Sequence, residues 1–508
     1  MKINDKRIIA LLASVSLIAA APAPRPTPKP YIPPATPDAV THHVNHVDGQ
    51  AIKYSARAGT ITLRNDKDQI TARMFYVAYT KDGANPNTRP VTFFYNGGPG
   101  SSTIWLRMAS FGPVRVKLDN GRATPPAPYT LLDNPDSLFD KTDEVFVDAP
   151  NTGYSRVLGY GKPEDFMGVD QDGRAFTQFI QRYLTQSGRW NSPKFLFGES
   201  YGTTRDAVLV NMLQDANVQI NGVVFLSSVL NFGLTGLGGF NPIGGGDWAY
   251  VLYLPTEAAT AWYHHKVAGR PGSLPQFLKG VEDFAGTEYL HALTQGDQLS
   301  ASERDDVVRR LHDYLGLSEE YIRNSNMRIP YYNYEKELMR DQDIVLGRYD
   351  SRYATYGVDR MSDVPDWDPS DVGMNSAVVS VWSRYVRDDL HYYSNLQYRP
   401  TAYGGLLGAR WDMHHNGQDP PANVVPDIAA AMSQNPHLQV FSGNGYYDFA
   451  TPFFATYYTF EHMDIAPALQ NNITFGFYDS GHMVYLNPEA RARFKADLDR
   501  WYDKTLKR

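Results

Sequence analysis

The residues most able to do chemistry lie in a short glycine-flanked segment, Gly198-Glu199-Ser200-Tyr201-Gly202. The segment follows the apolar run 194–197 and precedes a helical pattern over 203–216, so the order predicts a sharp strand-to-helix turn. In such a turn the serine side chain stands at the edge of the sheet, and the two glycines leave room for neighbouring backbone. The pattern therefore predicts that Ser200 is a nucleophile.

A serine hydroxyl needs a base to accept its proton, and the base needs a carboxylate to orient it. Asp448 follows a predicted strand over 438–442, and His482 follows a predicted strand over 473–478. Both residues are on loops just past strand ends, where the ligand sites of open parallel sheets lie. We therefore predict a catalytic triad of Ser200, His482 and Asp448.

The chain has 13 histidines, so other candidates for the base must be considered. His462 is the one credible alternative, but it lies in a helical stretch and not on a loop after a strand. The adjacent pairs His264-His265 and His414-His415 have no metal-ligand spacing and are expected at the surface. We expect neither a metal ion nor a cofactor.

A second glycine-rich segment, Asn96-Gly97-Gly98-Pro99-Gly100-Ser101-Ser102, follows a predicted strand over 90–95. Glycines in this position leave backbone N–H groups free to approach a developing negative charge. Because the segment precedes the serine turn by about 100 residues in an alternating chain, it is expected to form an oxyanion-binding loop.

Strands and helices alternate around these segments. Further strands are predicted over 69–80, 143–148 and 222–226, and helices over 165–185 and 488–502. This order predicts a mostly parallel central sheet with helices on both faces, the α/β-hydrolase fold.

The alternation of strands and helices is interrupted after Asn231 by about 200 residues. These residues are first rich in glycine and then mixed helical and aromatic in pattern. We interpret them as an inserted cap. The predicted organisation is a signal peptide (1–21), a proline-rich linker (22–40), the first part of the core (41–231), the cap (232–430) and the second part of the core (431–508).

The amino-acid composition excludes several classes of protein and of functional site. The 508 residues carry a net charge of −7, which excludes a basic nucleic-acid binder, and 42% apolar residues suffice for a large core. The absence of cysteine excludes disulfides, thiolate metal sites and a cysteine nucleophile.

The N-terminus has the order of a secretory signal, with Lys2, Lys6 and Arg7 before the apolar run 8–21. That run is too short to span a bilayer comfortably, so we expect cleavage near Ala20 or Ala21 and no stable membrane insertion afterwards. A membrane anchor that is left uncleaved is the alternative. We expect export to a bacterial periplasm or to the secreted space.

Four of these segments together resemble the serine carboxypeptidase family, and the chain is similar to a bacterial-type member. They are 96–102 (NGGPGSS), 198–202 (GESYG), Asp448-Phe449 and 481–484 (GHMV); residues 148–155 (DAPNTGYS) resemble a fifth family block. The resemblance covers roughly residues 70–505. It implies Ser200 as nucleophile, His482 as base, Asp448 as its orienter, the N–H groups of Gly98 and Tyr201 as oxyanion donors, and Asn96, Gly97, Glu199 and Met483 in substrate binding.

The resemblance further implies removal of C-terminal residues from a peptide, the expected partner, with Asn96 and Glu199 holding the terminal carboxylate. A glutamate that faces a carboxylate must be protonated, which predicts a preference for acidic pH. The chain departs from the family at Phe94, Ser101 and Ser110, which stand where the family has Trp, Cys and an acidic residue. The cap shows no match.

Two other functional interpretations of the same residues remain possible. The same triad could serve an aminopeptidase, an esterase or an acyltransferase, although a glutamate beside the nucleophile suits binding of a substrate terminus, which an esterase does not need. A non-catalytic binding protein of the cell envelope is the other alternative, because a fold does not fix a function.

Overall fold

The computed structural model describes residues 30–47, 49–236, 246–269, 272–402 and 411–507. The predicted signal peptide, 1–21, and the first part of the predicted linker, 22–29, lie outside the described residues. Residues 30–38 form no helix or strand, and the first strand begins at Ala39. None of the helices in these ranges combines the length and the apolar composition of a membrane-spanning segment.

Ten strands form the central sheet, and β4, β7, β9 and β10 are buried along their whole length, as expected for strands covered on both faces. Two short pairs lie outside it. The strands are β1 (Ala39–Val47), β2 (Gln50–Arg64), β3 (Ile70–Lys81), β4 (Val91–Tyr95), β5 (Val114–Val116), β6 (Leu131–Asp133), β7 (Asp143–Val147), β8 (Arg156–Val157), β9 (Lys194–Glu199), β10 (Gly222–Leu226), β11 (Ile344–Leu346), β12 (Ala354–Tyr356), β13 (Gln439–Gly445) and β14 (Ile473–Tyr478).

The order of strands in the central sheet is β1-β2-β3-β7-β4-β9-β10-β13-β14, with β8 paired to β3. β7, β4, β9, β10, β13 and β14 run parallel to one another, whereas β1, β2 and β3 form an antiparallel extension. This sheet, with helices on both faces, is the α/β-hydrolase fold, which confirms the prediction.

Fourteen α-helices are present in the described ranges. They are α1 (Val169–Ser187), α2 (Tyr201–Asp215), α3 (Phe232–Thr235), α4 (Trp248–Tyr263), α5 (Leu274–Phe284), α6 (Leu290–Gln295), α7 (Ala301–Leu315), α8 (Glu319–Asn324), α9 (Tyr331–Glu337), α10 (Pro369–Asp388), α11 (Val425–Gln434), α12 (Phe453–Glu461), α13 (Pro467–Gln470) and α14 (Pro488–Leu506). Short 3₁₀ or π turns are formed by Leu106–Ser110, Leu138–Asp140, Pro163–Asp165, Ala285–Tyr289, Gly296–Gln298, Arg340–Gln342 and Val484–Leu486.

The apolar faces of these helices divide the core into three parts. One face of the sheet packs against α10 and α14, and the other packs against α1, α2 and α11. Helices α4 to α9 form a separate apolar cluster that includes Tyr447, Phe449 and Phe453 of the core. The inserted region predicted at 232–430 therefore has two parts. Helices α4 to α9 form the cap, whereas α10 and the start of α11 cover the central sheet.

The predicted elements that flank the glycine-rich segments are confirmed. α1 begins four residues later than the predicted 165 because Pro163–Asp165 forms a 3₁₀ turn, and it ends at Gly188, whose φ is 67°. The strands β1 and β2 were not predicted, since charged and polar residues interrupt their apolar positions.

Candidate active site

Ser200 lies in a tight turn between β9 and α2. Its φ of 62° is in the left-handed region that favours glycine, so the backbone here is strained. A Cβ on Gly198 would overlap the Gly202 carbonyl, and a Cβ on Gly202 would lie 2.8 Å from the Tyr95 carbonyl oxygen. The turn therefore requires both glycines. Its geometry places the Ser200 side chain at the wall of a cleft.

Asp448 and His482, which follow β13 and β14, contact each other, and His482 lines the same cleft as Ser200. His482 Nδ1 lies 2.8 Å from Asp448 Oδ2. The same carboxylate accepts hydrogen bonds from the N–H groups of Ala450 and Thr451 and from the Thr451 hydroxyl, at 2.7 to 2.9 Å. Three donors other than His482 thus fix the Asp448 carboxylate, and the carboxylate in turn orients the imidazole with Nδ1 toward it.

His482 is buried, and its ring lies against the ring of Tyr349 with centroids 5.2 Å apart. Its Nε2 makes no hydrogen bond to another described residue, and both His482 and Ser200 line the cleft. Burial and the Arg348 guanidinium lower the pKa of His482. The charge and hydrogen bond of Asp448, with the charge of Glu199, outweigh them, so the pKa lies above its ordinary value.

The loop predicted to bind an oxyanion packs against the start of α2. A Cβ on Gly97 would overlap the Tyr201 nitrogen, so only glycine permits this approach. Gly98 has a φ of 115° and lines the cleft beside Ser200. Tyr201 is the first residue of α2, so its N–H has no acceptor within the helix. The structure thus places Gly98 in the same cleft as Ser200, with Tyr201 directly after Ser200 at the start of α2.

Asn96 and Glu199 form a buried pair on the wall of the cleft. Asn96 Nδ2 donates to Glu199 Oε1 at 2.8 Å, and Asn96 Oδ1 accepts from the Leu106 N–H at 3.1 Å. Burial raises the pKa of Glu199 to about 7, against the opposing effects of His482, Tyr485 and Asn96. Glu199 is therefore a carboxyl that is protonated in mildly acidic solution.

The cleft is open to solvent at its mouth. Seven of the nine predicted site residues line it directly, with Asp448 behind His482 and Tyr201 behind the loop. The seven are Asn96, Gly97, Gly98, Glu199, Ser200, His482 and Met483.

Sequence reasoning missed four further lining residues, Trp105, Tyr349, Asp371 and Thr401. Three of them come from the inserted region, where no motif marks them. Asp371 Oδ1 accepts from Asn375 Nδ2 at 2.8 Å, and burial raises the pKa of Asp371. Ser110, which stands where the family has an acidic residue, is buried at the end of the turn Leu106–Ser110. The additional carboxyl of this cleft is therefore Asp371, from a different element.

The other histidines lie away from the cleft. His462 is exposed at the end of α12, with Nδ1 2.7 Å from the Tyr458 carbonyl oxygen. The expectation that His415 lies at the surface is wrong, since it is only 3% exposed and lies between Asp170 and Asp427. Its two nitrogens face opposite carboxylates, and the described residues contain no group of three or more ligands arranged to hold a metal ion.

Comparison with known proteins decides the family. The family model of the serine carboxypeptidases matches residues 48–472, which is most of the chain. The chain belongs to the serine carboxypeptidase family. A serine carboxypeptidase of Caenorhabditis elegans is 30% identical over 153 residues, covering 29% of this chain and 24% of that protein. Serine carboxypeptidase-like 5 of Arabidopsis thaliana is 27% identical over 173 residues, covering 33% and 37%.

The chain thus spans less than two fifths of the length of these two curated family members, both from eukaryotes. The fold likeness is more extensive. A prohormone-processing carboxypeptidase of Saccharomyces cerevisiae superposes with a TM-score of 0.54 over 89% of this chain and 92% of that one, at 16% identity. This match supports the α/β-hydrolase fold assigned from the strand order.

Proposed function

We propose that this protein is an exported serine carboxypeptidase that removes residues from the C-terminus of peptides through an acyl-enzyme on Ser200. One observation carries the proposal. A single cleft is lined by Ser200, by His482 with Asp448 behind it, and by the Asn96–Glu199 pair, whose carboxyl has a pKa of about 7.

The reaction follows from the roles of these groups. His482 Nε2 accepts the proton of Ser200 as the hydroxyl oxygen attacks the carbonyl carbon of the last peptide bond. The N–H groups of Gly98 and Tyr201 donate to the oxyanion. His482 then gives the proton to the leaving amine as the C–N bond breaks, and a water molecule, activated in the same way, releases the acyl group.

Recognition of the C-terminus requires a donor where the substrate carboxylate lies. Protonated Glu199 and the Asn96 amide, with Gly97 beside them, supply neutral donors in a buried position. Ionised Glu199 would repel the carboxylate, since two like charges in contact are unfavourable. This explains why a buried carboxyl of raised pKa suits a peptidase that works at acidic pH.

Mass spectrometry of two peptide pools tests the proposal. One pool has blocked N-termini and free C-termini, and the other has free N-termini and amidated C-termini. We expect stepwise loss of C-terminal residues from the first pool near pH 5 and 7. Ser200→Ala should lower this turnover by several orders of magnitude without unfolding the chain. Undiminished activity of Ser200→Ala would refute the acyl-enzyme.

Asp371 supports a second candidate, an aminopeptidase. Two carboxyl groups, Glu199 and Asp371, line the cleft, and an ionised pair would bind a substrate ammonium group. In that case only the second pool would be trimmed, from its free N-termini. Cleavage of esters alone, or transfer of the acyl group to an added alcohol, would indicate an esterase or acyltransferase.

The site of action is proposed from the N-terminal sequence. The signal-like residues 1–21 and the absence of cysteine support export to a bacterial periplasm or the secreted space. A cell fractionation with antibody detection tests this, and retention in the cytosol would contradict it.

A further inference from the structure

A cap segment that no motif marked contacts both loops that carry Asp448 and His482. The segment, which we name the brace, is residues 347–353 (GRYDSRY) between β11 and β12. On the Asp448 side, the Phe449 N–H donates to the Arg348 carbonyl at 3.0 Å. The Ser351 N–H donates to the Tyr447 carbonyl at 3.0 Å. These two bonds flank Asp448 in the chain.

On the other side, the brace holds the residues around His482. The His482 N–H donates to the Tyr349 carbonyl at 2.6 Å, and the Gly481 N–H donates to Asp350 Oδ2 at 3.2 Å. A Cβ on Gly481 would lie 2.5 Å from Asp350 Cα, so the brace packs directly against this backbone. The loop after β14 is thus fixed from the cap and not only from its own strand.

Asp350 and Arg352 give the brace its shape. Both are buried, at 1% and 5% exposure, and Arg352 Nε and Nη2 donate to the two Asp350 oxygens at 2.9 and 2.5 Å. Arg352 also donates to Ser480 Oγ at 3.2 Å and to Asn120 Oδ1 at 2.9 Å. A guanidinium presents such a planar set of donors in fixed geometry, which lysine cannot reproduce.

We propose that Asp350 and Arg352 are positioning residues of the catalytic centre, and that the inserted cap supplies the contact that sets the Asp448–His482 distance. The two loops leave different strands, β13 and β14, and a misplacement of about 1 Å at such a site costs on the order of a hundredfold in rate. Neither residue lines the cleft, so both act through the loops. The inference rests on the proposed function only in that Ser200 is the reacting group.

The test measures how fast Ser200 of the full chain is labelled by an organic fluorophosphonate, as a function of pH, in wild type, Asp350→Asn and Arg352→Lys. We expect a labelling rate about a hundredfold lower in Asp350→Asn, with a smaller loss in Arg352→Lys. We also expect the acidic limb of the profile to move to lower pH. The reason is that Asp448 raises the pKa of His482, and a looser contact weakens this effect while the burial remains.

Asp143→Asn is the matched control. Asp143 forms an equally buried ion pair with Arg189 at the opposite, amino end of the strands. Loss of this ion pair in Asp143→Asn should lower the melting temperature and leave the rate and pH dependence of Ser200 labelling unchanged. The proposal would be overturned if folded Asp350→Asn and Arg352→Lys were labelled at the wild-type rate with the wild-type pH dependence. It would also be overturned if the acidic limb of the labelling profile moved equally far in Asp143→Asn. Rapid labelling of wild type without cleavage of either peptide pool would refute the proposed substrate instead.

Discussion

At the scale of single residues, Glu199 combines two properties. It directly precedes Ser200, and its carboxyl is buried against Asn96 with a pKa of about 7. A group with this pKa is about one-tenth protonated at pH 8 and mostly protonated at pH 6. The charge of this one side chain therefore changes between pH 6 and 8.

Glu199→Gln tests that property. Glutamine keeps the acceptor for Asn96 and donates to a carboxylate at every pH, so the variant should retain activity. Deprotonation of His482 raises the activity of both forms over the same range, so the informative quantity is the ratio of wild-type to variant kcat/KM on a peptide with a free C-terminus. This ratio should fall about tenfold from pH 6 to 8. Steady-state kinetics across pH on free and amidated peptides measure it.

Glu282→Gln is the control, because burial also raises the pKa of Glu282 to about 7 and it lines a separate cavity. A wild-type to variant ratio that stays constant with pH for Glu199→Gln, or that falls equally for Glu282→Gln, would assign the pH dependence to another group.

At the scale of elements, the segment that enters α11 is joined to α1 through His415. Its Nδ1 lies 2.7 Å from Asp170 Oδ1 in the first turn of α1, and its Nε2 lies 2.6 Å from Asp427 Oδ2 in the first turn of α11. Both ring nitrogens donate only when the imidazole is protonated. Burial lowers the pKa of His415, but the hydrogen bonds and charges of the two carboxylates raise it above its ordinary value.

His415→Gln should destabilise the protein, by about 1–3 kcal/mol at pH 5.5, since charge-assisted buried hydrogen bonds are lost. Because the pKa is raised on folding, this stabilisation is fully present below about 6.5 and declines as pH rises through the folded value. Urea denaturation at pH 5.5 and 8.5 should therefore show a larger loss at the lower pH. The adjacent, largely exposed His414 provides the control His414→Gln, and equal losses for the two variants would contradict the argument.

At the scale of the whole molecule, several carboxyl groups are buried in apolar surroundings. Burial raises the pKa of Glu144, Glu257 and Glu335 well above the ordinary value. Glu257 lies within the cap, and its Oε1 makes no hydrogen bond to the described residues. In the folded state these groups hold protons that the unfolded chain releases, so stability should decline as pH rises above about 4.5.

Glu257→Gln should therefore raise the melting temperature by a few degrees at pH 8 and change it little at pH 4.5. Calorimetry of wild type and variant at both values measures the difference. Exposed Glu303, whose pKa is lowered by hydrogen bonds from Ser300, gives the contrasting control Glu303→Gln, which should not stabilise at pH 8. A melting temperature of Glu257→Gln equal to wild type at pH 8 would show that the carboxyl is ionised without cost.

Local sequence specified much of the framework. The apolar runs of β4, β9, β10, β13 and β14, and the glycines on both sides of Ser200, act through neighbouring backbone and are readable within a few residues. The antiparallel strands β1 and β2 could not be read in this way. Their stability comes from the pairing of β1 with β2 and of β2 with β3, which local propensity does not report.

The sequence by itself determined the order of the functional segments along the chain. A glycine-rich loop comes first, then the turn that carries Ser200, and then Asp448 and His482, each after its strand. Only the tertiary structure decided what surrounds them. Asp371 reaches the cleft, His415 is buried and the brace joins two loops because segments far apart in sequence pack together. Contacts of that kind depend on the shape of the folded chain and leave no periodic or local pattern in the residues that make them.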